Sequence, residues 1–187
     1  MYFYKFPSIT DTSRQKVIDI IVEMGKDKEE WIATLKVHGG NFSMHTDGKV
    51  VLPASKSNFI QEHERFYGYK EVLEKYKEGV LELFTSLNRN FRHDIKQIGV
   101  YGELFGGSYN HPDVPRNPHS TRVQKGVNYT PDNDFYMFAL NVDGKWMNYD
   151  FAVGSSFYLG CPSSYELGRG TLQDCLDIPN DTVDPLH

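Results

Sequence analysis

Lys36-Val37-His38-Gly39-Gly40-Asn41-Phe42-Ser43 decides the reading of this chain. Trp31 to Val37 is an apolar run of strand character, Gly39-Gly40 predicts a turn, and Asn41 to Thr46 predicts an answering strand. Asp47-Gly48 is a strong hairpin signal, and Lys49 to Leu52 returns after it. The expectation is an antiparallel meander with Lys36 near its first bend. A lone amine then stands at a strand end, beside backbone whose glycines let a ligand come close.

Outward from this stretch, Val17, Ile18, Ile20, Ile21 and Met24 recur at helical spacing, with Thr12 or Ser13 as N-cap and Gly25 near the stop. A second helix is predicted from about Tyr69 to Leu87, where Val72, Leu73, Tyr76, Val80, Leu83, Phe84 and Leu87 form an apolar stripe. Gln97 to Phe105 reads as a strand ending in Gly106-Gly107. Between Ser108 and Asn133 lies a long loop with four prolines, read as a stiffened surface excursion. Phe135 to Val142 and Lys145 to Phe151 predict a hairpin about Asp143-Gly144, and a short helix follows over Thr171 to Leu176. With no repeat, low-complexity tract or linker, residues 1–187 read as a single α+β domain, mainly antiparallel sheets with flanking helices.

A chain of 187 residues is long enough to bury a real core. Its net charge of -5 announces no nucleic-acid binder, although phosphate contacts depend on where charges lie rather than on their sum. Cys161 and Cys175 make neither a disulfide framework nor a zinc-ligand spacing and read as reduced structural thiols. No segment has the length of a signal peptide's apolar core or of a membrane span, so the expected location is cytoplasmic or otherwise intracellular, with no membrane partner.

A nucleophilic lysine must be neutral when it attacks, which calls for burial, a nearby cation or a bound metal. Lys36, ending an apolar strand, is expected to gain from desolvation. Attack on the α-phosphate of ATP would give a lysyl-AMP phosphoramidate, with Mg²⁺ neutralising phosphate charge. His38 and Asn41 could hydrogen-bond phosphate oxygens or hydrated metal. Glu103, at a strand end before Gly106-Gly107, could accept a ribose hydroxyl, and Phe138 could stack on adenine. Each has a bland counterpart: strand-end lysines are mostly solvated, strand carboxylates mostly exposed, and strand phenylalanines mostly core. Lys-x-His-Gly-x-Asn-Phe-Ser over eight positions is more specific than any of these singly. Arg116, Arg122 and Lys125 in the long loop are candidates for RNA backbone. His111 and His119 lack partners at metal spacing.

The chain resembles the nucleotidyltransferase domain of the RNA ligase 2 family of phage, viral and trypanosome editing ligases. The residues that carry the resemblance are Lys36 to Ser43 as motif I, Tyr101-Gly102-Glu103-Leu104-Phe105-Gly106-Gly107 as motif III and Asp134 to Leu140 as motif IIIa. Flanks with the family's look are Phe66 to Tyr69, Val123 to Val127, Leu167 to Gly170 and Leu176 to Asp181, so the likeness is co-linear over nearly the whole chain. It implies an adenylation-domain fold, with Lys36 and His38 as catalytic residues. It also implies a nucleotide site of Leu35, Lys36, Asn41, Lys56, Glu103 and Phe138. The implied activity is ATP-dependent and Mg²⁺-dependent: lysine adenylation, AMP transfer to a 5′-phosphate RNA end, and sealing by a 3′-hydroxyl. RNA ends or nicks would be the partners.

Three departures stand out. Ala139 replaces the acidic residue that usually closes motif IIIa, and Lys56 occupies the place of an arginine whose planar fork binds phosphate in a fixed orientation. Motif IV (Glu-Gly-x-Val) and motif V (Lys-x-Lys) find no match, so the expected domain lacks its C-terminal strands. Losing one such electrostatic donor costs on the order of 10²–10³ in rate. Three expectations follow: a second polypeptide supplies those motifs, the chain is a relict that binds nucleotide or RNA without sealing, or it is an excised portion of a longer protein. A further alternative is an interaction module that uses the fold as scaffold, its open sheet edge pairing with another chain.

Overall fold

The protein is described by a computed structural model over residues 1–12, 14–91 and 94–179. Its secondary structure divides between two compact units: residues 1–6 with 37–163, and residues 7–36 with those from Ser164 onward.

The first unit is built on a five-stranded antiparallel sheet of β2 (Gly40–Thr46), β3 (Val51–Ser55), β4 (Ile98–Gly106), β5 (Asn133–Val142) and β6 (Lys145–Trp146), in the order β3-β2-β4-β5-β6. The long helix α2 (Tyr69–Phe91) covers one face, burying Val72, Tyr76, Val80, Leu83 and Leu87. They meet Phe42 and Met44 of β2, Ile98, Val100 and Leu104 of β4, and Phe135, Met137 and Leu140 of β5 in one core. Alternate positions on the same strands point to the other face. The first six residues run along that second face. Gln97 donates to and accepts from the backbone of Tyr2, both at 2.7 Å. Phe3 meets the rings of His45 and Phe59, the Tyr101 hydroxyl bonds the Tyr4 carbonyl, and Phe6 sits edge-on to Phe138 and Trp146.

The expected hairpin over Lys145 to Phe151 is cut short. β6 stops at Trp146, and Asn148 caps a helix, α3 (Tyr149–Leu159), by accepting from the Phe151 amide at 2.9 Å. The sequence hides this helix because Phe151, Ala152, Val153, Phe157, Tyr158 and Leu159 are apolar round most of its circumference and show no 3.6-residue period. Helix α2 also continues to Phe91, one turn beyond the expected end.

The second unit holds α1 (Gln15–Glu23), β1 (Trp31–Thr34), β7 (Glu166–Gly170) and α4 (Leu172–Leu176). The expected meander fails here: β1 ends at Thr34 and pairs antiparallel with β7, 130 residues later, rather than with β2. Local pattern reveals a strand but not a distant partner. Arg14, not Thr12, stands at the N-cap of α1, with no side-chain capping bond; Ser13 lies outside the described residues, as do Asn180 and Asp181 of the last family-like flank. Thr171 and Asp174 form a reciprocal capping box at the start of α4, and the Cys175 thiol donates to the Trp31 carbonyl. Both cysteines are free thiols, and burial pushes that of Cys161 up to about 12. No helix among the described residues is long and apolar enough to cross a membrane.

His45 is fully buried on the second sheet face, its Nε2 at 2.9 Å from the Ser43 hydroxyl, and burial lowers its pKa from 6.5 to about 4. The unfolded chain therefore takes up a proton that the folded chain refuses as pH falls from about 6.5 to 4, so stability falls over that window and is complete above it. The loss should amount to about 3 kcal/mol at the acid end. Urea unfolding midpoints measured from pH 7 to 4 should drop for the native sequence by more than for His45→Gln. Parallel pH profiles would show that His45 does not carry this dependence.

Candidate functional site

The site in the first unit starts from a glycine. A Cβ on Gly39 would stand 2.5 Å from the Leu104 carbonyl oxygen, 3.0 Å from Glu103 Cβ and 3.2 Å from Glu103 Oε2. Only a residue without a side chain lets the turn lie this close to β4. Gly40 is crowded in the same way by the Tyr67 ring, 3.1 Å from where its Cβ would be. The next residue, Asn41, is the register partner of Glu103, and Glu103 is in turn the partner of Tyr136 on β5. Lys56 follows Ser55, the residue paired with Phe42, and so extends this row to the end of β3. Lys56, Asn41, Glu103 and Tyr136 therefore line one end of the sheet on neighbouring strands.

Phe138 lies further along β5 at a register shift: Gly102 pairs with Met137 and Tyr101 with Ala139, leaving Phe138 as the extra residue of a bulge. Its ring is partly exposed, with the Phe6 ring edge-on at 4.9 Å between centroids. A phenylalanine on a core-facing position would be buried beneath α2; the bulge turns this one away from it.

Lys36 ends the second unit and is joined by its peptide bond to Val37, the buried first residue after the unit boundary. Its side chain is exposed, which corrects the expectation that burial desolvates it. Leu35, half-buried, is held by its amide on the Tyr165 carbonyl at 2.9 Å. The His38 side chain is exposed, while its backbone amide donates to the Tyr129 hydroxyl at 3.1 Å.

That last bond introduces residues that sequence reasoning passed over. The stiffened loop after β4 is fastened down by hydrogen bonds. The Gly107 amide donates to the carbonyls of Thr130 and Asp132, Val123 to that of Gly106, and Ser108 to the Ser120 hydroxyl. Buried Asn133 is the hub, its amide group accepting from Thr121 N–H and donating to the Thr121 carbonyl. From this loop Gln124 donates to the Gly39 carbonyl at 3.1 Å, so Gln124 and Tyr129 hold the glycine turn from outside. Gln124 falls in a stretch already marked as a family-like flank, which was the available signal. Arg116, Arg122 and Lys125 are all exposed. Arg122 bonds Asn128 at 2.5 Å, and Arg116 borders a hollow of about 320 Å³ with Tyr109 and His111; no described contact joins Arg116 to the other two.

The row of Asn41 and Glu103 beside bare backbone suits a ligand with phosphates and sugar hydroxyls. Among the described residues no three of His, Cys, Asp and Glu cluster as metal ligands. The sequence profile of the RNA ligase family matches residues 29–178. The chain belongs to the RNA ligase family. This RNA ligase family member is 30% identical over 144 residues to the mitochondrial RNA-editing ligase 2 of Trypanosoma brucei brucei, covering 70% of this chain and 35% of that one. Mitochondrial RNA-editing ligase 1 of the same species is 27% identical over 202 residues, covering 91% and 43%. Among solved structures, a Naegleria gruberi RNA ligase mutant with AMP and Mn superposes with TM-score 0.62 at 17% identity, covering 91% of this chain and 45% of that one. Another mutant of the same ligase, with ATP and Mn, gives 0.57 at 16%, covering 90% and 46%. These likenesses establish the fold, an adenylation-type arrangement of antiparallel sheets and flanking helices. The RNA ligase family chain spans less than half the length of these relatives.

Gly39→Ala tests the close approach on which the site is built. The added methyl must displace backbone of β4, so the variant should lose about 1–3 kcal/mol in urea unfolding. An unchanged midpoint would mean that the turn does not rest on Leu104 and Glu103.

Proposed function

We propose that the chain is the adenylate-forming part of an ATP-dependent RNA ligase acting on RNA ends or nicks inside the cell. The observation that carries this reading is the Gly39 turn resting on the Glu103 carboxylate, with Asn41 as that residue's strand partner. In this reading Lys36 Nζ attacks the α-phosphorus of ATP. The new N–P bond forms as the bond to the β-phosphoryl oxygen breaks, pyrophosphate leaves, and the amine gives up a proton. AMP then passes to a 5′-phosphate on RNA and is displaced by a 3′-hydroxyl.

Each residue has a defined task in this scheme. Glu103 accepts hydrogen bonds from ribose hydroxyls and Phe138 stacks on the base, with Phe6 bracing the Phe138 ring from its edge. Asn41, Lys56 and His38 face the phosphates; Lys56 brings a point charge that does not fix orientation as an arginine would. Arg116, Arg122 and Lys125 meet RNA backbone. Mg²⁺, when bound, neutralises phosphate charge; without a cluster of three protein ligands among the described residues it would be held chiefly by the nucleotide and water. Motifs IV and V would come from a second polypeptide or from the rest of a longer chain.

Ala139 favours a second reading, nucleotide or RNA binding without covalent chemistry. One experiment separates the two. Protein incubated with Mg²⁺ and ATP labelled at the α-phosphate should carry label through a denaturing gel, and Lys36→Ala should carry none. Glu103→Gln should lower labelling about 10²-fold. ATP binding that survives in Lys36→Ala, with no label on the native chain, would replace the first reading by the second. A native chain that neither takes label nor binds ATP in calorimetry overturns both.

A further inference from the structure

We propose that residues 1–6 are a strap whose seating depends on a neutral His45. Seated, the strap lies along the second sheet face and braces Phe138. With a proton on His45 it lifts, and the nucleotide site loses that brace. This rests on the ligase reading above and adds a condition, acidity, under which the site is weakened.

His45, Gly99 and Asn141 are register partners on β2, β4 and β5 and form one row across the sheet. His45 and Asn141 are buried, and Nδ1 of the one and Nδ2 of the other meet no hydrogen-bond partner among the described residues. Gly99, between them, has no room for a side chain that could serve either. A Cβ there would lie 2.9 Å from His45 Nδ1 and 2.8 Å from the Tyr101 ring. Neutral His45 is met at Nε2 by the Ser43 hydroxyl at 2.9 Å and leaves Nδ1 idle. An added proton makes both ring nitrogens donors, and Nδ1 then finds no acceptor. The Asn141 carbonyl oxygen already accepts from the Gly144 amide at 2.9 Å, and its Nδ2 is itself a donor. A charged ring left half-satisfied in a dry setting is costly, so the proton enters only where the cover gives way.

The cover consists of Phe3 of the strap and Phe59 of the loop after β3, at 5.6 and 5.2 Å between ring centroids, with Tyr101 beside them at 5.2 Å. The strap forms no strand of the sheet. It is held by the paired bonds between Gln97 and the Tyr2 backbone and by the Tyr101 hydroxyl on the Tyr4 carbonyl. Charge plays little part around His45: burial alone lowers its pKa. Leu52, opposite on β3, and the rest of that strand carry no ionisable group. Burial pushes the Tyr101 phenol up, so it stays neutral. Asp47, in the turn after β2, is held below the usual carboxylate range by the amides of Lys49 and Val50 and by the Met1 amino group, and it stays ionised. The other ionisable side chains on these stretches, Tyr2, Tyr4, Lys5, Lys49 and Lys56, make no described ion pair with His45. At its far end the strap sets Phe6 against Phe138 at 4.9 Å and Trp146 at 5.1 Å, so lifting it withdraws the brace. Closure is favoured in full above pH 6.5 and lost as pH falls toward 4, which raises the open-to-closed ratio about thirtyfold between pH 7.5 and 5.0.

The test replaces tryptophan by 5-fluorotryptophan and follows Trp146 by fluorine exchange NMR, its signal assigned with Trp31→Phe. The open-to-closed ratio of the native sequence should rise about thirtyfold from pH 7.5 to 5.0. It should change less than about threefold in His45→Gln or His45→Asn, either of which serves if the other does not fold. Saturating ATP at pH 5.0 should lower the native ratio at least threefold, because a ligand that needs the seated strap favours it in return. The proposal is overturned if Trp146 gives one unmoved signal across the range, if the neutral variants follow the native profile, or if ATP leaves the ratio unchanged. Label on Lys36 with a Trp146 signal indifferent to pH would remove the strap and leave the ligase reading in place. A pH-dependent signal in a chain that takes neither label nor ATP would overturn the ligase reading and, with it, the strap's service to a nucleotide.

Discussion

The contact between a bare Cα at position 39 and the backbone of β4 governs the rest of the first unit. With Leu104 O 2.5 Å from the site of a missing Cβ, no side chain of any size fits, and the turn lies down onto the sheet. Once it does, β2 enters in one register only: Asn41 beside Glu103, Phe42 beside Gly102 and so on to Thr46 beside Ile98. That register puts Phe42 and Met44 under α2 and His45 on the opposite face. A slip of one residue would exchange the two sets and place a histidine in the main core. The functional row and the hydrophobic core are thus set by the same pairing.

The second sheet face is not the water-exposed side that an antiparallel sheet often presents. Met1 to Phe6 cover part of it with aromatic rings, and Gln97 pairs with the Tyr2 backbone as a strand neighbour would. Hydrogen bonds from the loop after β4 fix the glycine turn from the other direction, through Gln124 and Tyr129. The sheet end that carries Glu103 is therefore held by three separate stretches of chain, which is how a short sequence keeps such residues in place.

Much of this was legible in the amino-acid sequence, and the limits have physical causes. The β2–β3 hairpin, α2 and β4 were readable because each advertises itself within a few residues: Asp47-Gly48, a stripe from Val72 to Leu87, a run ending in Gly106-Gly107. Glu103 and Asn41 were nameable, but not their adjacency, since register across strands 60 residues apart leaves no local trace. The pairing of β1 with β7 was invisible for the same reason, and α3 because it lacks a polar face. The exposure of Lys36 was misjudged from the apolar run before it: β1 ends two residues earlier, and the apolar side chain next to Lys36 that is buried belongs to Val37. Asn133, at the start of β5, and the loop residues Gln124 and Tyr129 look ordinary until their partners are known.

One surplus residue in β5 has a consequence for how this strand can vary. Strict alternation would force Met137 and Leu140, three apart, onto opposite sides of the sheet, yet both lie in the core under α2. The bulge at Phe138 resets the phase midway, so a single strand feeds the packed interior at both its ends and still presents an aromatic ring to the other face. Length, rather than chemistry, is then the inflexible property of this segment: many apolar exchanges within it would be absorbed, whereas dropping one residue would invert half the strand.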